Sequence, residues 1–154
     1  MDVHSPAQRS LNMSRIQGRD TRPEILIRRG LHSRGYRFRL HARDLPGRPD
    51  IVLPKFRAVV FVNGCFWHGH DCPLFRLPAT RTEFWEAKIV ATRVRDQLNR
   101  AALQAAGWRS YTVWECALRG RAKRGLTDVL DAWDAFRCSP SLEDGIAGRW
   151  EACV

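Results

Sequence analysis

Ala58-Val59-Val60-Phe61-Val62 is an unbroken apolar run rich in β-branched residues. Such a run predicts a central strand buried on both faces. Asp50-Ile51-Val52-Leu53 opens a second strand just upstream, after the turn residues Leu45-Pro46-Gly47-Arg48-Pro49. Tyr36-Arg37-Phe38-Arg39-Leu40 alternates apolar and polar with period two and predicts a third strand. Before it, Thr21-Arg22-Pro23-Glu24 has the spacing of a capping box with proline in the first turn. Ile25, Leu26 and Leu31 give that helix its apolar face, and Gly35 is its expected stop. Downstream, residues 63 to 78 form a long loop rich in His, Cys and aromatic residues. A helix is expected over Thr82 to Ala106, with an imperfect stripe of Trp85, Ile89, Val94, Leu98, Ala102 and Ala105, ended by Gly107. Trp108 to Trp114 reads as a strand, and Leu126 to Arg137 as a helix with Val129, Leu130, Trp133 and Phe136 inward. The order α-β-β-β-α-β-α is that of a mixed α/β sandwich. Residues 1–19 read as a flexible basic arm, 20–137 as the folded domain and 138–154 as a loosely ordered tail.

The 154 residues suit one domain, and 44% of them are hydrophobic, enough for a core. Lys and Arg number 26 against 16 Asp and Glu, a net charge of +10 that points to a polyanionic partner, nucleic acid before others. Most of the cations are arginine, whose planar fork suits phosphate. The absence of an apolar run of about 18 residues excludes a helical membrane span. The N-terminus has no apolar signal segment, so the expected location is cytoplasmic. Cysteine occurs five times, at 65, 72, 116, 138 and 153. An odd count in this setting argues for core thiols or metal ligands over a disulfide framework.

Three groups of residues bear on chemistry. Cys65, Cys72 and the distant Cys116, with one imidazole, make a closed tetrahedral set for a structural zinc. His68 and His70 both lie between the first two cysteines and compete for the fourth position. Asp50, at a strand start beside the strand end at Val62, could hold Mg²⁺ for phosphodiester cleavage, against a plain role in the turn. Glu24 reads on its own as the acid of the capping box. Phe66, Trp67 and Trp85 read either as core or as wedges that part a base step.

Five stretches carry a resemblance: Arg19-Asp20-Thr21, Leu45-Pro-Gly-Arg-Pro-Asp50, Gly64-Cys-Phe-Trp-His68, Pro78-Ala-Thr-Arg-Thr-Glu-Phe-Trp85 and Val113-Trp-Glu-Cys-Ala-Leu-Arg-Gly120. In order and spacing the chain resembles the very-short-patch repair endonucleases, bacterial enzymes that nick DNA beside a T:G mismatch. The resemblance implies a restriction-endonuclease-like α/β fold, with a mixed central sheet flanked by helices. It makes residues 20–137 the endonuclease domain. It assigns Asp50 and the Val62 backbone carbonyl to Mg²⁺, His68 as the catalytic imidazole helped by Asp96, and Glu24 to the metal and its waters. Cys65, His70, Cys72 and Cys116 would hold a structural Zn²⁺. Phe66, Trp67 and Trp85 would be the wedge, with Met13 entering from the minor-groove side. Val62 and Asn63 stand where the pattern has Thr and His, which moves more of the proton chemistry onto His68.

The implied substrate is duplex DNA with a T:G mismatch left by deamination of 5-methylcytosine, cut 5′ to the T by a monomer. The implied partners are a DNA cytosine methyltransferase and mismatch-repair proteins. Two other classes fit parts of the sequence. A zinc-stapled DNA-binding module would not need Asp50, and a restriction endonuclease would break both strands of matched DNA.

Overall fold

The computed structural model describes residues 5–14 and 19–149. Its elements are helix α1 (Pro6–Ser14), helix α2 (Arg22–Ser33), strands β1 (Arg39–Leu40), β2 (Ile51–Leu53) and β3 (Ala58–Asn63), helix α3 (Thr82–Ala105), strand β4 (Arg109–Trp114), helix α4 (Leu126–Cys138) and strand β5 (Glu143–Ile146). The sheet runs β1-β2-β3-β4-β5. The β1–β2 and β2–β3 pairs are antiparallel, whereas β3–β4 and β4–β5 are parallel. Each parallel pair is joined through a helix, α3 for the first and α4 for the second, as parallel pairing requires.

Alternation along the strands sorts the core into two layers. Ile51, Leu53, Ala58, Val60, Tyr111 and Val113 point to one face and pack with Ile27 and Leu31 of α2 and Val129, Leu130, Trp133 and Phe136 of α4. Val52 and Val59 point to the other and meet Ala42 and Leu103 of α3. The run at 58–62 is therefore the two-sided strand its composition predicts.

Local chemistry sets the ends of the helices. The Thr21 hydroxyl accepts the Glu24 N–H at the start of α2. At its end Gly35, with φ +89°, takes the left-handed conformation, donating to His32 O at 3.0 Å while Tyr36 N–H donates to Leu31 O at 3.1 Å. That pair of bonds is the Schellman closure. It turns the chain back so that Tyr36 stacks edge-on against Phe56 and Trp133. The expected strand at 36–40 therefore pairs only over Arg39–Leu40, because Tyr36 is committed to the α2–α4 side.

The ends of the chain depart from expectation. Residues read as part of a flexible arm include helix α1. The segment from 138 onward, read as a loose tail, holds β5, which pairs with β4 from Ser110↔Glu143 to Val113↔Ile146. Arg124 Nε donates to Ala147 O at 2.5 Å, and Arg149 N–H to Ala122 O at 2.7 Å, tying down the residues after it.

The apolar stripe of α3 also departs from expectation. Ile89 and Leu103 are its buried residues, while Val94 and Leu98 are exposed at 51% and 66%. Twenty-four residues of helix span about 36 Å, whereas a six-residue strand spans about 20 Å. The helix outruns the sheet, so its middle faces a cleft instead of the core. None of the described helices is long and apolar enough to cross a membrane.

Candidate active site and metal centre

The cleft lies where β2 starts, β3 ends and α3 crosses above them. Its volume is about 270 Å³, and its walls include Arg48, Asp50, Val62, Asn63, His68, Asp96, Asn99 and Arg100. Asp50 precedes β2, and its Oδ2 accepts the Val62 N–H at 2.7 Å across the β2–β3 pair. Burial pushes the Asp50 carboxyl up to about 6. The Val62 N–H and the positive potential of His41 and His68 oppose that shift, while Glu24 adds to it.

His68 sits in the loop after β3, with Nδ1 2.5 Å from Asp96 Oδ2 on α3. When Nδ1–H donates to that carboxylate, Nε2 is left as an acceptor, the form a general base needs. Asn63 is buried at the end of β3 and lines the same cleft. It offers an amide but no group that titrates near neutral pH.

Glu24 reaches the neighbourhood of Asp50 from the first turn of α2. Its side chain is 2% exposed, and Oε1 lies 3.1 Å from His41 Nε2 and 3.6 Å from Arg28 Nη1. Oε1 makes no hydrogen bond, so both contacts are electrostatic and poorly aligned. Burial pushes the Glu24 carboxyl up, and His41 and Arg28 pull it back.

The second constellation is next door. Single donor atoms of Cys65, His70, Cys72 and Cys116 all lie within 4.8 Å of one another. A tetrahedral ion with bonds of about 2.3 Å needs ligand atoms about 3.8 Å apart, so a small contraction would close the set. All three thiols are buried and unpaired in disulfides. Burial pushes the Cys65 and Cys116 thiols up and the His70 imidazole down. Each shift disfavours the charged form, and a cation bound between the sulfurs would favour their thiolates instead. The His70 ring stacks on Trp114 with centroids 4.1 Å apart and planes within 9°. Gly148 N–H donates to Cys116 Sγ at 3.2 Å. The structure thus puts His70 with the cysteines and His68 with Asp96, separating two residues that spacing alone left in competition.

Gly69, between those histidines, makes the separation possible. It has φ +60°, and a Cβ there would come within 2.5 Å of Ile89 Cγ2 on α3. The loop can cross α3 this closely only without a side chain.

Phe66, Trp67 and Trp85 form an aromatic group of their own. Phe66 meets Trp67 at 5.1 Å and Trp85 at 5.4 Å between centroids, and Trp67 meets Trp85 at 6.0 Å. All three are half-buried and belong to none of the core clusters. Lys88 Nζ stands over Trp67 and Trp85 at 5.6 and 5.2 Å. Met13 belongs to α1, but its side chain lies outside the described residues.

Comparison with known proteins bears directly on this arrangement. The chain is 50% identical over 135 residues to the DNA mismatch endonuclease Vsr of Escherichia coli, covering 86% of each protein. It is 51% identical over 132 residues to a type II nicking enzyme of Xanthomonas oryzae, covering 84% of this chain and 97% of that one. A third relative, a type II nicking enzyme of Neisseria meningitidis, is 40% identical over 121 residues, 79% of this chain and 86% of its own length. Residues 1–74 also match the family model described as DNA mismatch endonuclease Vsr. The chain belongs to the Vsr family of endonucleases. In this Vsr-family chain the cleft and the Cys/His cluster share one loop, residues 63 to 72, so whatever orders the cluster also orders His68.

Sequence reasoning did not reach every residue of the site. Asn99 and Arg100 follow Asp96 by three and four positions on α3, a spacing that puts them on the same helical face. Arg48 lies in the Leu45–Pro49 turn, whose residues signal only turn chemistry. His41 carried no signal, since a lone histidine after a short strand is usually a surface residue.

Proposed function

We propose that the protein is a strand-specific endonuclease that nicks duplex DNA 5′ to the T of a T:G mismatch, acting in very-short-patch repair after deamination of 5-methylcytosine. The observation that carries the reading is one cleft in which a half-buried Asp50 faces a His68–Asp96 pair, with a half-exposed aromatic group on the loop that bears His68 and the start of α3. Membership of a mismatch-endonuclease family supports it. The mixed sheet with Asp50 at a strand start suits a fold of the type II restriction enzyme class.

In this reading His68 Nε2 takes a proton from the attacking water, while Asp96 fixes the ring and stabilises the imidazolium. Asp50 and the Val62 carbonyl would hold Mg²⁺, with the Glu24 carboxylate close by. The bound Mg²⁺ supplies charge stabilisation at the phosphate and the leaving 3′ oxygen. Asn63 orients by hydrogen bonding and carries no proton. Arg48 and Arg100 are suited to the phosphates beside the cut.

Cys65, His70, Cys72 and Cys116 fit a Zn²⁺ that does no chemistry, since four protein ligands leave no open position. Its role is to bind the end of β4 to the loop that bears His68. Phe66, Trp67 and Trp85 insert beside the mismatch, with Met13 opposite, and a T:G wobble lowers the cost of parting the step. The enzyme works as a monomer, in the bacterial cytoplasm, alongside a DNA cytosine methyltransferase and the mismatch-repair proteins.

The test is a nicking assay on otherwise identical duplexes carrying T:G, T:A, C:G and A:C pairs, in Mg²⁺ and in EDTA, with wild type and Trp67→Ala. The expected result is a single nick 5′ to the mismatched T, only in Mg²⁺. Trp67→Ala should lose most of the preference for T:G while melting close to wild type. Breaks in both strands of matched DNA would make the protein a restriction enzyme. Tight binding without nicking in any metal would make it a binding module.

A further inference from the structure

We propose that His41 is a positioning residue for the nicking reaction, setting the buried Glu24 and the half-buried Asp50 relative to each other. The inference rests on the reading of those acids as active-site groups. His41 lies between α2 and the start of β2 and touches both. Its main-chain N–H donates to Asp50 O at 3.1 Å, which holds the strand start that bears the Asp50 carboxylate. Its ring Nε2 is hydrogen-bonded to Asp20 Oδ1 at 3.3 Å and faces Glu24 Oε1 at 3.1 Å without a hydrogen bond between them. One residue thus holds the strand start of one acid through the backbone and sets its ring, anchored on Asp20, against the carboxylate of the other.

Two observations show a demand at this place. Glu24 Oε1 is buried without a hydrogen bond, and such an oxygen is costly unless a positive group faces it. His41 also adopts φ +50°, a left-handed conformation that non-glycine residues seldom take. Backbone strain of this kind persists where surrounding contacts over-determine it, which is common around active sites.

Asp20, Glu24 and His41 also have the spacing of metal ligands. A cation there would compete with Arg28, whose guanidinium already lies 2.7 Å from Asp20 Oδ1 and 3.6 Å from Glu24 Oε1. The group is therefore an ion-pair network, with Asp20 and Arg28 on its solvent side and Glu24 at its buried end. His41 is the member that joins this network to Asp50.

The experiment compares His41→Asn, His41→Gln, Glu24→Gln and the double variant Glu24→Gln/His41→Asn in single-turnover nicking of a T:G duplex. DNA affinity and melting temperature are measured on each. Asn suits the left-handed backbone but is too short to reach Glu24, whereas Gln keeps an N–H donor at nearly the reach of Nε2. His41→Asn should nick about tenfold more slowly, His41→Gln within about threefold of wild type, and the double variant no more slowly than Glu24→Gln alone. DNA affinity should be unchanged throughout. In the metal-free protein the His41 ring nitrogen resonances should move when Glu24 becomes Gln.

Wild-type nicking by His41→Asn, with Glu24→Gln impaired, overturns the positioning role and leaves the site reading intact. So does a double variant that loses the product of both single effects. If His41→Asn melts far below wild type while its folded fraction nicks at full rate, His41 serves the fold alone and the proposal fails. Wild-type nicking by Glu24→Gln removes the site reading, and the proposal with it.

Discussion

Asp50 carries opposing demands. Its carboxyl is drawn into the cleft wall by the Val62 N–H, yet burial raises its pKa from 3.8 to about 6. Between those two values the folded protein holds a proton that the unfolded chain has released. Stability must therefore fall as pH rises from about 4 to about 6, then level off above the folded pKa. An amide at this position keeps an acceptor for Val62 and cannot ionise. Metal-free Asp50→Asn should match wild type in melting temperature near pH 4 and exceed it above pH 6. Discounting for partial exposure, the gain is roughly 1–2 kcal/mol, or about 3–6 °C for a domain of this size. Nicking should be lost at every pH, because the ligand proposed for Mg²⁺ has lost its charge. Melting curves of the two proteins from pH 4 to 8 decide this. A difference that does not widen with pH would mean the carboxylate is not desolvated. Both outcomes together would make the residue stabilising to replace yet required for nicking, a usual tension at sites selected for chemistry.

At the scale of elements, legibility followed the kind of signal each segment carries. The β3 run was readable because a strand buried on both faces leaves no polar position to confuse it. α4 was readable because its inward residues recur at helical spacing and pack on one sheet face, whereas in α2 the caps were readable but the face was not: Leu31 is buried as expected, Ile27 takes the other core position and Leu26 is exposed. β5 was not readable, because Glu143-Asp144-Gly145-Ile146 pairs through its backbone at a sheet edge and leaves three of its four residues exposed. The α3 stripe misled because periodicity reports amphipathicity and not which stretch of helix meets the sheet. In the site, the Cys and His spacing was legible, and Asp96 and Glu24 came only through family resemblance. His41 was invisible, since its importance lies in a backbone bond and a strained φ. The unread β5 has a consequence. It covers the edge of β4, and the chain just after it supplies Gly148 N–H to Cys116 Sγ and packs Ala147 against the cysteine cluster. A chain ending at Ser139 should therefore melt several degrees lower and retain well under one zinc per chain, where the full chain is expected to hold about one. Metal analysis beside a melting curve checks this. Full zinc occupancy in the shortened chain would show that the four ligands need no support from β5.

At the scale of the whole molecule the question is where a net charge of +10 acts. Arg28, Arg34, Arg39, Arg100, Arg119 and Arg149 each lie within ion-pair distance of a carboxylate. Arg100 is the informative case. Its Nε is 2.8 Å from Glu143 on β5, while its side chain also lines the cleft beside Asp50. A phosphate in that cleft would compete with Glu143 for the same guanidinium. Arg48 lines the same cleft, and Arg93 lines a neighbouring one of about 560 Å³ between α3 and the His68–His70 loop. The charge is thus brought to the site from the turn before β2 and from α3, around a path a DNA backbone could follow. Each phosphate neutralised releases counterions, so log K against log salt should have a slope of about −0.9 per contact. With roughly six or more such contacts, affinity for a T:G duplex should fall on the order of a thousandfold between 50 and 200 mM salt. Arg93→Ala should flatten the slope by about one unit on matched and mismatched duplexes alike, since phosphate contacts carry no sequence information. Fluorescence anisotropy on both duplexes across that salt range measures the two slopes. A slope near zero would leave the charge as a solubility feature. A loss at Arg93 confined to the T:G duplex would mean that this side chain reads the mismatch and not the backbone.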